Sequence, residues 1–207
     1  SDAEASGAPA DAVGKAKAKL AEATAAQGKR TTAAKALSTA AAAAVASPLD
    51  ADLAKLRSLI GEASEAGVDG AAIKEAKGSL AKAEAITTLE AAATAAAKAG
   101  DAELEALKAA LKAAEGAGVS EKALAGAKAK LAAGQKTQAQ RAAALKAIEK
   151  LGAADKLSVD TAALQQAISD AEASGAPADA VGKAKAKLAE ATAAQGKRTT
   201  AAKALST

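Results

Sequence analysis

LAKLRSLIGEASEAGVDGAAIKEAKGSLAKA, residues 53–83, is the stretch that decides the fold of this chain. Apolar residues flank Gly67 in nearly mirror order: Ala63, Ile60, Leu56 and Leu53 precede it, and Ile73, Ala76, Leu80 and Ala83 follow it. Both series step by three and four residues, which places their members on one face of a helix. The stretch therefore predicts two antiparallel helices that fold back at Gly67 and pair these residues in mirror order.

The same turn recurs along the chain, at Gly7, Gly67, Gly118 and Gly175. Glycine at this place favours a left-handed helix C-cap, and Asp69 and Ser120 follow at the distance of an N-cap for the next helix. Pro9 and Pro177 take that place in the other copies, and proline suits a first helical turn. The predicted apolar seam comprises Leu53, Leu56, Ile60, Ile73, Ala76, Leu80, Leu104, Leu107, Leu111, Leu124, Leu131, Leu164, Ile168, Val181 and Leu188.

We expect a short helix before each turn, such as residues 52–66, and a long one after it, such as 70–99 or 121–151. The second half of a long helix then overhangs its hairpin, yet residues 33–37 and 144–148 still carry apolar side chains that need a partner. Neighbouring hairpins are the nearest candidates, and pairing between chains is the alternative. The predicted fold is all-α, with tandem hairpins forming an extended solenoid, rod or filament.

Residues 1–39 reappear without a change as residues 169–207. The offset of 168 residues predicts a tandem array. Its first unit, residues 1–168, would hold three imperfect hairpins with turns near Gly7, Gly67 and Gly118, and residues 169–207 would begin the next unit, with a turn at Gly175. A sequence deliberately overlapped at its two ends would look the same. Because the chain begins at Ser1 without methionine, we expect a processed product or a segment of something longer.

Composition excludes several classes of function. The chain has no Cys, Met, His, Asn, Phe, Trp or Tyr, and alanine supplies most of its apolar half. Alanine favours helices and close helix approach but buries little area, so slender bundles are expected. Without His or Cys we expect no enzyme, no cofactor and no metal site. Asp50 and Asp52 are interpreted as helix caps rather than metal ligands.

Charge and hydropathy limit the kinds of partner that the chain is expected to bind. The net charge of +4 is spread along the chain, which argues against a specific nucleic-acid partner. The apolar run from Ala40 to Ala46 is too short to span a bilayer. Lysines 15, 17 and 19, repeated at 183, 185 and 187, could dock on an acidic protein, although solvation and pairing with Glu22 or Glu190 explain them more simply. The compartment stays undetermined.

Three segments carry a resemblance: LRSLIGEASEAGVDGAAIKEAKGSL, LKAALKAAEGAGVSEKALAGAKAKL and LQQAISDAEASGAPADAVGKAKAKL. Their pattern resembles alanine-rich tandem helical-repeat proteins of some algae and other protists, which implies a repeat scaffold and no catalytic residue. We therefore interpret the chain as a structural protein that builds a fibre or filament through self-association or neighbouring repeats. The alternatives are an α-solenoid that docks on an acidic partner such as a microtubule, and a stress- or ice-related protective protein.

Overall fold

The computed structural model describes residues 9–96 and 100–206. These residues form seven α-helices and contain no strand, so the all-α prediction is confirmed. In chain order the helices are α1 (Ala10–Ala46), α2 (Leu53–Glu65), α3 (Gly70–Ala95), α4 (Asp101–Gly116), α5 (Glu121–Gly152), α6 (Thr161–Ala173) and α7 (Ala178–Leu205).

Long and short helices alternate, and their ends follow the capping signals. Asp52 accepts a hydrogen bond from the Lys55 backbone N–H at 2.8 Å and starts α2, while Asp160 does the same for α6 through Ala163 at 2.9 Å. This confirms Asp52 as a helix cap, whereas Asp50 lies in the turn two residues earlier and is not the cap of α2. The prediction for α3 ran to residue 99, but the helix ends at Ala95, and residues 97–99 lie outside the described part of the chain.

Each described turn has the same backbone geometry. Gly67, Gly118 and Gly175 have φ angles of 69°, 75° and 70°, in the left-handed region that glycine enters without strain. The N–H of Gly67 donates to the Ser64 carbonyl at 3.2 Å, and the N–H of Val68 donates to the Ala63 carbonyl at 2.9 Å. These two bonds form a Schellman motif, which satisfies carbonyls that the helix end leaves open. The C-cap prediction is confirmed at these three glycines, and Gly7 lies outside the described residues.

The chain divides into two units. One holds the described residues up to Ala91 together with Ala110–Leu124, and the other holds Ala92–Ala109 with the described residues from Ala125 onward. Each unit contains a core to which three successive helices contribute.

In the first unit, the core joins the second half of α1 to the hairpin that follows it. Buried side chains come from α1, from α2, from the turn and from α3; they are Leu37, Ala44, Leu56, Ile60, Ala63, Val68, Ala76 and Ala83. The overhang of α1 is therefore covered by the neighbouring hairpin within the same chain. This packing agrees with the expectation that overhangs pack on neighbouring hairpins.

In the second unit, the second half of α5 packs in the same way with α6 and α7. Its buried residues are Ala144, Val159, Leu164, Ile168, Ala171, Val181, Ala184 and Ala191. Ile148, Leu151 and Leu188 pack against them while staying half-buried. Both cores are thus three-helix assemblies in which a two-helix hairpin receives the end of the preceding long helix.

Two glycines of α5 provide a test of helix packing. Beyond the adjacent residues and backbone of its own helix, a methyl group on Gly126 would meet no described atom within 4 Å, whereas one on Gly134 would lie 2.2 Å from Cδ2 of Leu104, which is 3% exposed. Gly126→Ala should raise the free energy of unfolding by about 0.5–1 kcal/mol because alanine restricts the unfolded chain. Gly134→Ala should lower it by about 1–3 kcal/mol because Leu104 must repack. Urea unfolding followed by circular dichroism measures both, and equal effects at the two sites would contradict this packing.

Candidate functional site

The predicted seam residues lie along the helix interfaces. Ten are buried: Leu56, Ile60, Ala76, Leu104, Leu107, Leu111, Leu124, Leu164, Ile168 and Val181. Five are half-buried: Leu53, Ile73, Leu80, Leu131 and Leu188. Within the first unit, both sides of the Gly67 mirror contribute to one core. These residues form surfaces for holding helices together.

The identical segments 1–39 and 169–207 occupy opposite environments. Leu37 in α1 is 2% exposed, but its counterpart Leu205 in α7 is 89% exposed. We call residues 33–37 and their counterparts 201–205 the exit segments. The exit segment of α1 packs on α2 and α3, whereas Ala201, Ala202 and Leu205 of α7 are exposed.

The first halves of α1 and α7 show the opposite pattern of exposure. We call residues 13–23 and their counterparts 181–191 the entry segments. In α7 the entry segment is covered, with Val181, Ala184 and Ala191 buried in the core of the second unit. In α1 its counterpart is open to solvent, and Leu20 is 68% exposed. The two identical segments are therefore covered along opposite halves: α2 and α3 pack on the second half of α1, and α5 and α6 pack on the first half of α7.

A cation from the preceding long helix lies beside each described turn. Arg141 of α5 is the best-defined case: its Nε donates to the Ser174 carbonyl at the end of α6 over 2.9 Å, and its Nη1 lies 3.5 Å from Asp101 Oδ1. The Arg141 side chain is only 16% exposed. A positive charge at a helix C-terminus is favourable because the helix dipole places negative partial charge there.

Arg30 and Lys82 take the corresponding places beside the other turns. A methyl group on Gly67 would lie 3.6 Å from Arg30 Nη2, and one on Gly118 would lie 3.5 Å from Lys82 Cε. None of the short helices has a basic residue in its own last turn. The preceding long helix therefore supplies the cation that each short helix lacks. We call Arg30, Lys82 and Arg141 the turn cations.

Sequence reasoning did not identify the turn cations, although a signal was present. Each stands 34–37 residues before its turn glycine, in the middle or the second half of the preceding long helix. A periodicity search along one helix cannot find this relation because the contact joins two helices. The relation becomes visible when the hairpin sequences are aligned on their turn glycines and the residues before each hairpin are searched for a shared cation.

Replacing Arg141 with methionine tests the role of the turn cations. We expect a loss of about 1–3 kcal/mol in the free energy of unfolding because the Ser174 carbonyl loses a hydrogen bond from a charged donor. The contact with Asp101 should add little because that carboxylate is 69% exposed. Arg198→Met is the matched control, since Arg198 of α7 is exposed whereas the Arg141 side chain is only 16% exposed. Urea unfolding measures both variants, and an equal loss of unfolding free energy in the two would show that the contact of Arg141 with the turn does not stabilise the protein.

The lysine runs are engaged mainly with nearby carboxylates. Lys15 lies 2.9 Å from Asp11 and Lys183 lies 2.8 Å from Asp179, one helical turn before each. The hydrogen bond to Asp179 and its negative charge raise the pKa of Lys183 above its ordinary value. Lys185 lies 2.6 Å from Glu172 of α6. Pairing was expected with Glu22 and Glu190, but these contacts go to acidic residues that precede the lysines.

Open grooves border the exit segment of α1. One is lined by α1 and α2, including Thr31, Lys35 and Leu59, and another by α1 and α3, including Ser38 and Ser79. The described residues bring together no cluster of three or more acidic side chains that could hold a metal ion. Among the same residues, no helix has the length and apolarity that crossing a bilayer requires.

The helix interfaces described above hold one helix against another. They combine buried leucine, isoleucine and alanine side chains with a cation that the preceding long helix places beside the turn. Comparison of the chain with models of protein families, with curated proteins and with solved structures gives no match in any of the three. The resemblance to tandem helical-repeat proteins therefore stays a prediction.

Proposed function

We propose that this chain is a structural protein, a segment of a tandem α-helical array that builds a fibre or filament. The observation that supports this most is the complementary burial of the two identical segments. The exit segment of α1 is covered by the α2–α3 hairpin after it, and the entry segment of α7 is covered by α5 and α6. In a continuing array, one such helix would be covered along both halves.

The turn cations support the same function. The long helices α1 and α5 each pack on the hairpin that follows, and α1, α3 and α5 each place a cation beside the next turn, so one kind of interface can be repeated along an array. Such an arrangement stabilises a linear array through nearest-neighbour contacts. It requires neither a catalytic residue nor a ligand.

Small-angle scattering of this chain and of a chain carrying two 168-residue units would test the array. If the units stack linearly, the maximum dimension should rise by a constant amount with each added unit. A compact particle whose dimension grows only with the cube root of its mass would overturn the proposal. Co-sedimentation with microtubules that weakens with salt would support the alternative of a scaffold for an acidic partner.

A further inference from the structure

We propose that the α2–α3 face can exchange α1 for the exit segment of α7 from a second copy of this 207-residue chain, so that copies whose α1 is released join head to tail. This inference rests on the proposed function and identifies the partner surface through which an array could extend between molecules. The occupant is defined by the sequence itself, since residues 201–205 are identical to residues 33–37, which already dock on that face.

The contacts that α1 makes with α2 and α3 show what the docking face binds. Leu37 is 2% exposed and belongs to one core with Leu56 and Ile60 of α2 and with Ala76 of α3. Leu205 carries the same side chain at the same position of an identical helix and is 89% exposed. A docked α7 would therefore make the contacts that α1 makes, and it would cover the apolar surface of Leu205.

A second contact would accompany the first. Arg30 lies beside the turn at Gly67, and its counterpart in α7 is Arg198, which is exposed. An α7 helix in the place of α1 would bring Arg198 to the same turn. The interface would thus reproduce both the apolar packing and the turn cation, and this fixes the axial register of the incoming helix.

The α1 helix of the same molecule competes for this face. It is joined to α2 by residues 47–52, and a short connection gives an effective concentration of about millimolar. Because the contacts are equivalent, an α7 from solution cannot displace α1 at micromolar concentration. The unmodified chain should then be monomeric when dilute, with α1 shielding the docking face.

Weakening α1 alone should reverse this competition. Leu37→Glu would oppose the docking of α1 but leave Leu205 of α7 intact. Each molecule would then carry one vacant face and one competent α7, and repeated head-to-tail contacts of this kind build either rings or open chains of molecules. In sedimentation velocity, the mean mass should rise about twofold or more between about 10 and 500 µM, whereas the unmodified chain should stay monomeric over that range.

Matched variants distinguish helix exchange from nonspecific association. Leu205→Glu alone should stay monomeric, and Leu37→Glu with Leu205→Glu should return to the monomer although its docking face is still exposed. Leu37→Ala, which places no charge against α2 and α3, should assemble in the same way at higher concentration and covers the case in which the glutamate variant loses its helices. Monomeric behaviour of both Leu37 variants, or equal assembly of the double variant, would overturn the proposal.

Cross-linking locates the contact. Ser38 and Ser79 line one groove between α1 and α3, and Ser206 is the counterpart of Ser38. The chain has no cysteine, so Ser206→Cys in one molecule and Ser79→Cys in another, both carrying Leu37→Glu, give one thiol each. A short bis-maleimide should join these two molecules, and adding Leu205→Glu to the Ser206→Cys chain should abolish the product. A product that persists would contradict docking through Leu205.

The two proposals can fail separately. An extended particle in scattering together with monomeric Leu37 variants would leave the array intact but confine it to one chain. Assembly of the Leu37 variants together with a compact particle would refute the array while supporting helix exchange.

Discussion

Leu56→Ala should lower the free energy of unfolding by about 2–5 kcal/mol, among the largest effects of any single truncation in the first unit. Leu56 is 1% exposed and belongs to a core that α1, α2 and α3 share. Its loss would leave a cavity among residues that are mostly alanine. Alanine side chains are too short to fill such a gap, so little relaxation is expected.

Two further leucines provide a graded control for Leu56→Ala. Leu80 packs against the same core but is half-buried, and Leu20 is 68% exposed. Leu80→Ala should therefore cost less than Leu56→Ala, and Leu20→Ala should change stability by no more than about 0.5 kcal/mol. Urea unfolding followed by circular dichroism at low protein concentration gives the order. A cost for Leu20→Ala equal to that of Leu56→Ala would show that the core has been assigned to the wrong face.

Ala63→Leu should lower stability by about 1–3 kcal/mol or more through overpacking. Ala63 is fully buried, and its carbonyl accepts the Val68 N–H in the turn. The corresponding residues, Ala114 and Ala171, are also fully buried, four residues before their own turn glycines. A leucine there would separate the helices where the turn holds them closest.

Ala54→Leu is the matched control for Ala63→Leu. Ala54 lies on the exposed side of the same helix, so its replacement adds the same atoms without entering the core. We expect it to change stability by less than about 0.5 kcal/mol. Thermal unfolding of the two variants under one set of conditions decides the matter. Equal midpoints would mean that the space beside Ala63 can expand at little cost.

The sequence was sufficient for the local structure because each local signal had a local cause. The three-four spacing of Leu56, Ile60 and Ala63 follows from the helical period, and Gly67 is needed where φ is positive. Asp52 and Asp160 start helices through hydrogen bonds to residues three positions ahead. Such features depend on residues within one or two helical turns, and a single sequence reports them directly.

The tertiary features could not be predicted in the same way. Leu37 and Leu205 lie in identical segments, and Leu37 is covered because α2 and α3 pack against it, so no pattern within the segment separates a covered copy from an exposed one. Gly134 looks like the other glycines of α5, and its contact with Leu104 depends on how closely α4 approaches. Arg141 reaches the α6 turn across 33 residues of sequence, a relation that packing creates.

The alanine-built cores have a consequence for the response of the protein to temperature. The heat capacity change of unfolding rises with the apolar area that becomes exposed, and each buried alanine adds little area. With no aromatic residue in the chain, that change should fall below the usual value of about 12–15 cal/mol/K per residue. The stability curve is then flat, so the fold keeps much the same stability over a wide span of temperature.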